Sequence, residues 1–253
     1  ENHPYGKPLT GTGTTETIEN ISRDALVEVY KRVINSNNAS YLIVGNINLE
    51  EAKDMLESKF GNWESEASQQ KLSLFNVDLP KSRKVYLIDK PNAIQSYIVA
   101  GQLLPPTGSD DEILMEYMNY AIGGSFTSRL NMNLREDKSW SYGVRNRLAD
   151  AKGQRSILVN APVQTDKTAD SIKEIIKEFE YYLGDQPIRY DELEKAKSSK
   201  TLRLPGRFET LGSLLGGMTN IVQYDRSLNY LDELSSLYSE PTLEEVQNTA
   251  RKY

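Results

Sequence analysis

The stretch from 141 to 183 constrains the fold more than any other part of the chain. Residues 141–150 and 154–163 are strand-like runs on either side of Ala151-Lys152-Gly153, a spacing that fits a hairpin and therefore an antiparallel pair. The period then changes. Residues 166–183 carry Ile172, Ile175, Ile176, Phe179 and Leu183 on one helical face, with Gly184 behind them as a stop. A hairpin that runs straight into an amphipathic helix buries the helix's stripe most simply on its own sheet. Strands are also expected at 84–89 and 95–104, and helices at 109–124, 126–136, 191–204, 208–223, 228–238 and from 242 on. The class that results is α+β, an antiparallel sheet with helices packed on one face.

The first part of the chain differs in character. Residues 1–19 are rich in Gly, Pro and Thr and read as an irregular segment. Ser22 is placed to cap a helix through about Ile34 with Leu26, Val29, Tyr30 and Val33 on one face, and 40–45 reads as a short buried strand. Asn48 then caps a helix with Ala52, Met55, Leu56 and Phe60 inward and Gly61 as its stop. Such a unit has no sheet of its own to complete, so 1–63 is expected to be the remainder of a first domain, 64–82 a linker, and 83–253 a second α+β domain. An internal match supports this. Thr242-Leu243-Glu244-Glu245-Val246 repeats the pattern of Ser22-Arg23-Asp24-Ala25-Leu26, each with a hydroxyl cap, early acids and a basic pair ten residues in. The first copy continues into 41–44, whereas the second reaches Tyr253 before any strand. The second domain is therefore expected to lack its last strand, and 41–44 to cover the open edge within or between molecules. A start at Glu1-Asn2-His3-Pro4, without an initiator methionine, adds to the expectation of a fragment.

Composition narrows the chemistry. With 253 residues and 38% of them hydrophobic, the chain is long enough for one large domain or one and a part. The net charge of -6 and scattered basic residues argue against a nucleic-acid partner, and no apolar run is long enough to predict a membrane-spanning helix. One histidine, His3, and no cysteine exclude thiol chemistry and fall short of the three or four ligands of a zinc site, so no metal ligand is assigned. Gly11-Thr12-Gly13-Thr14-Thr15 lacks the lysine of a phosphate loop and reads as a flexible turn that opens no helix directly. The pairs Glu50-Glu51, Asp110-Asp111 and Glu244-Glu245 fall where first helical turns are expected, and the helix dipole alone accounts for them.

The informative stretch runs from Gly123-Gly124-Ser125-Phe126 through Ser128-Arg129-Leu130 and Leu134-Arg135-Glu136 to Ser141-Tyr142-Gly143. A double glycine allows close backbone approach, and Arg135 near a helix end and Tyr142 at the opening of a strand are two strong donors suited to a carbonyl or a developing oxyanion. Spacing alone favours the plainer reading, in which Arg135 complements a helix C-terminus and Tyr142 is a strand aromatic.

Taken in order, His3-Pro4-Tyr5-Gly6-Lys7-Pro8, Asn38-Ala39-Ser40-Tyr41-Leu42-Ile43-Val44-Gly45, Gln95-Ser96-Tyr97-Ile98 and the motifs of the 123–143 stretch resemble the insulinase/pitrilysin family of zinc metallopeptidases, especially its smaller bacterial and mitochondrial-processing-type members. The resemblance covers nearly the whole chain. It implies two similar α+β domains facing one another, the first bearing an inverted His-x-x-Glu-His zinc motif that is absent from this sequence. By resemblance the second domain supplies an Arg and a Tyr seven residues apart, matching Arg135 and Tyr142. Arg135 would hold a substrate carbonyl, Tyr142 would stabilise the tetrahedral intermediate of peptide-bond hydrolysis, and Gly123 and Gly124 would lie near the substrate-facing rim. The resemblance raises this reading above the plainer one. It further implies zinc in the parent protein or a partner and none held by this piece, which would be inactive alone. It implies a peptide or unfolded protein as substrate, the missing zinc-bearing domain or a homologous subunit as partner, and the bacterial periplasm or envelope as compartment. The alternative within the same family is a non-catalytic subunit that binds peptides or pairs with an active zinc-bearing partner.

Overall fold

The computed structural model describes residues 11–65 and 74–253. The His3 motif and residues 66–73 of the expected linker lie outside them. The chain divides into two compact units, Glu1–Phe75 with Thr210–Thr219, and Asn76–Glu209 with Asn220–Tyr253.

The first unit contains a one-turn helix α1 (Thr15–Glu19), then α2 (Arg23–Val33) and α3 (Leu49–Phe60). The expected caps are present: Ser22 Oγ accepts from Ala25 N at 3.1 Å, and Asn48 and Glu51 bond each other's backbone in a capping box. Helix α1 corrects the reading of 11–15 as a turn that opens no helix, since Thr14 caps it through Thr17. Residues 40–45 correct a second expectation: they form no strand, and Tyr41 and Ile43 are exposed. Apolar composition does not make a strand unless a neighbouring strand takes up its backbone groups. Tyr41 packs its ring 5.0 Å from that of Phe60 within the first unit.

The second unit is built on a three-stranded antiparallel sheet of order β1-β3-β2, with β1 (Gln95–Leu104), β2 (Arg145–Leu148) and β3 (Arg155–Gln164). Strand β1 has the bounds expected from the sequence. The hairpin of β2 and β3 is present with Arg145 opposite Asn160, but β2 is shorter than expected. The run 84–89 corrects the sequence reading outright, because it forms no strand and Val85, Tyr86, Leu87 and Ile88 are largely exposed.

Helices cover one face of this sheet. These are α4 (Glu112–Asn119), α6 (Thr168–Leu183) and α10 (Leu243–Lys252), with a short α5 (Arg129–Asn131) that widens into a π-type turn; α7 (Tyr190–Thr201) packs on α4, α9 (Tyr230–Ser239) packs on α7, and α8 (Leu211–Gln223) precedes α9. Ile157, Val159, Ala161 and Val163 of β3 meet Met115 and Met118 of α4, Ile175 and Tyr182 of α6, and Val246 and Ala250 of α10 in one core. Leu130 and Leu134 complete it. The α6 stripe ends on Tyr182, which is buried, rather than on Leu183, which is exposed. Asp111 is the residue before α4 and bonds Lys252 and Tyr253, so the Asp110-Asp111 pair precedes the first turn instead of lying in it.

The repeated pattern of α2 and α10 has different surroundings in its two copies. In α10, Val246, Thr249 and Ala250 are buried, whereas the matching Leu26, Val29 and Tyr30 of α2 are 58%, 45% and 62% exposed.

A charged cluster fixes the segment before α9. Glu112 is buried and accepts Arg226 Nη1 and Nη2 at 2.8 and 3.0 Å, while Arg155, almost fully buried, has its Nη1 3.7 Å away. Removing one partner of such a pair leaves a desolvated charge behind. Arg226→Ala is expected to lower the unfolding free energy by about 3–5 kcal/mol in urea denaturation. A loss below about 1 kcal/mol, the size of an exposed pair, would show that the cluster is not acting as a buried one.

Candidate functional site

The 123–145 segment is assembled from glycine contacts and side-chain hydrogen bonds rather than from regular structure. After α4 the chain makes a π-type turn over Tyr120–Gly124. Gly123 is buried, and a Cβ there would stand 2.5 Å from Cγ of Asn146 on β2. At Gly124, which is exposed, a Cβ would stand 3.0 Å from the backbone oxygen of Asn119. Both positions require glycine because the backbone passes too close to a neighbour. The Asn146 amide is buried and finds no hydrogen-bond partner among the described residues.

The helix that carries Arg135 is pinned at its start by Arg129. Its guanidinium is buried between Glu192, at 2.8 and 2.6 Å, and the carbonyls of Gln186 and Pro187, and lies 5.0 Å from the Tyr182 ring centre. Two residues on, Asn131 is buried and bonds in both directions. Its Nδ2 donates to Phe126 O at 2.7 Å, and its Oδ1 accepts from Val144 N at 2.9 Å. That single amide joins the loop after the double glycine, the Arg135 helix and the segment that carries Tyr142. The helix ends in a wide turn, with Lys138 N donating to Asn133 O and Ser139 in the left-handed region at φ 56°.

Arg135 itself is half-buried. Its guanidinium sits 4.5 Å from the Phe126 ring centre and its Nε is 3.3 Å from Glu136. Tyr142 is 88% exposed and makes no hydrogen bond among the described residues. It lies three residues before β2 rather than opening a strand, because 140–144 follows β3 without a regular ladder. Gln164 N donates to Trp140 O at 2.9 Å, Ser141 Oγ donates to Pro162 O at 2.5 Å and accepts from Gly143 N at 3.1 Å, and Val144 N turns to Asn131. Side chains replace the strand bonds there. No direct bond joins Arg135 to Tyr142 among the described residues, and Asn131 supplies the connection between their segments.

Sequence reasoning names neither Asn131 nor Asn146, and gives Arg129 as part of a motif without a role. A polar residue beside the Leu130 and Leu134 stripe is the one local signal for Asn131, since a buried amide needs partners. Among the described residues no group of three or more His, Cys, Asp or Glu side chains is placed to hold a metal ion. The described residues do not fit a zinc site.

The close approach at Gly123 makes a direct test. Gly123→Ala is expected to cost about 1–3 kcal/mol by pressing on Asn146, measured by chemical denaturation. Gly123→Ala with Asn146→Ala should recover part of that loss, and a double variant no more stable than Gly123→Ala would contradict the contact.

Comparison with known proteins agrees with this architecture. The family model described as the peptidase M16 inactive domain matches residues 20–200. A Bacillus subtilis protein named an uncharacterized zinc protease, YmxG, is 24% identical over 253 residues, 99% of this chain and 59% of its own length. A Helicobacter pylori protein named a non-peptidase homolog is 23% identical over 240 residues, 93% of this chain and 54% of its own. The solved peptidase M16 inactive domain from Pseudomonas fluorescens superposes with TM-score 0.85 at 19% identity, over 95% of this chain and 57% of that one. The chain thus spans about half the length of the curated relatives it matches. With the family model covering most of its residues and the same fold in solved relatives, this chain belongs to the M16 peptidase family, through what is described as its inactive domain.

Proposed function

We propose that this chain is the zinc-free part of an M16-type metalloendopeptidase, presenting Arg135 and Tyr142 to a peptide held against a zinc-bearing half. The observation that carries the reading is the pair itself: two strong donors seven residues apart in sequence, left reachable at their tips while Asn131 fixes the segments beneath them. Zinc, supplied by the missing domain, would provide the hydrolytic chemistry. Arg135 would grip a substrate carbonyl through its guanidinium, with Phe126 limiting its swing, and the Tyr142 hydroxyl would donate to the oxygen that gains charge at the scissile bond. Gly123 and Gly124 would keep the neighbouring backbone low enough for an extended chain to pass. The division 1–63, 64–82 and 83–253 belongs to this proposal, as do a peptide or unfolded protein as substrate and the bacterial periplasm or envelope as compartment. By itself the chain would be inactive.

A second reading is favoured by two of the matches, the description of the family model as an inactive domain and the name of the Helicobacter pylori relative. In it the whole protein is a metal-free subunit that binds peptides or pairs with an active partner.

In an active full-length parent, Arg135→Ala and Tyr142→Phe are each expected to lower kcat by about 10²-fold with the melting temperature unchanged, as for loss of one oxyanion donor. Unchanged kcat in both would contradict the assignment. Metal analysis separates the two readings: a parent that purifies without zinc, is inactive alone and restores peptidase activity when mixed with a zinc-bearing partner is the subunit of the second reading.

A further inference from the structure

The sheet face opposite the helices is open and carries an asymmetric distribution of charge. Register places Arg145, Asn160 and Val99 in one row and Arg147, Leu158 and Gly101 in the next, all on the side away from the core. Tyr97 and Val99 are 65% and 56% exposed, and the Tyr97 hydroxyl reaches Asn160 Oδ1 at 3.3 Å. A Cβ on Gly101 would stand 2.6 Å from Leu158 Cδ2, so the missing side chain lets Leu158 lie across β1 and keeps the floor flat.

The two arginines are exposed at the β2 margin of this floor, and among the described residues neither side chain forms an ion pair or hydrogen bond. The buried arginines of the same unit behave otherwise: Arg129 faces Glu192, Arg226 faces Glu112, and Arg155 lies near Glu112 and Asp150. In a chain with 36 acidic against 30 basic residues, two adjacent cations on one strand face without a carboxylate partner form a locally positive strip on a negative molecule.

We propose that this face binds an extended acidic peptide, with carboxylates at alternate positions paired to Arg145 and Arg147. This rests on the reading of Arg135 and Tyr142 as peptide-facing residues and names the substrate class. Side chains two residues apart on a strand point the same way about 7 Å apart, and alternate side chains of an extended peptide have the same repeat. Each guanidinium can take a carboxylate with two parallel hydrogen bonds, a geometry that fixes register as well as charge. The stems of Glu side chains and the flanking residues would rest on Val99, Leu158 and Tyr97. Tyr142 lies three residues before Arg145 on the same stretch of chain, so a peptide held along β2 runs toward it.

The test is fluorescence anisotropy of the full 253-residue chain with two labelled peptides, one with two Glu separated by a single residue and one with Gln in their place. The Glu peptide is expected to bind at least about tenfold more tightly at low salt, and its advantage to shrink when ionic strength is raised to a few tenths molar. The double variant Arg145→Gln, Arg147→Gln should lose that preference while keeping the circular dichroism and melting of the unaltered chain. Equal binding of the two peptides, a preference that survives in the double variant, or no binding of either peptide overturns the proposal. The Arg135 and Tyr142 assignment is judged separately by kcat of the parent, which this titration does not read.

Discussion

The Asn131 amide is where the candidate site is held together. Its nitrogen reaches Phe126 O and its oxygen receives Val144 N, so one buried side chain spans three segments that no strand or helix connects. Leaving a buried backbone donor without a partner costs about 1–3 kcal/mol, and a nonpolar residue at 131 would leave a donor and an acceptor unmet together. The spacing of Arg135 and Tyr142 in space therefore depends on a residue that would touch no substrate. Arg129 plays the matching part at the start of the helix, fastening it to Glu192 and the carbonyls ahead of α7.

Around that point the second unit follows the ordinary logic of a layered domain. The core-facing side of the sheet is mostly aliphatic, apart from Arg155 and Asn146, and is covered by α4, α6 and α10, while the other side stays open. Polar groups also enter the interior, in the Glu112, Arg226 and Arg155 cluster, at Asn131 and at the glycine turn facing Asn146. The α2 and α10 copies show how much of this is context. Both have hydroxyl caps and acids in the first turn, yet only α10 buries its apolar face. Caps and periodicity specify a helix, while burial depends on what is packed against it.

The sequence was most informative where local rules act alone. Strand β1 has the expected bounds, and Ser22, Asn48 and Thr242 marked the helix starts they cap. It was least informative where a distant partner decides. The runs 40–45 and 84–89 have strand composition but remain unpaired, since β-propensity measures fit to a neighbouring strand and not a property of the segment alone. Strand β2 starts late because Ser141 and Asn131 take over the bonds a ladder would have made. At the site, the types and spacing of Arg135 and Tyr142 were readable, along with the glycines between α4 and α5. Glu192 as the partner of Arg129, 63 residues away, and Asn146 above Gly123 were not, because contacts of that range appear only when the chain is folded.

Amide hydrogen exchange at Val144 tests the central claim most directly. In Asn131→Ala, Val144 is expected to lose at least about 1 kcal/mol of protection free energy, while amides of the β1 and β3 ladder such as Val159 keep theirs. Unchanged protection at Val144 in that variant would contradict the account, because the segment carrying Tyr142 would then be held by something other than Asn131.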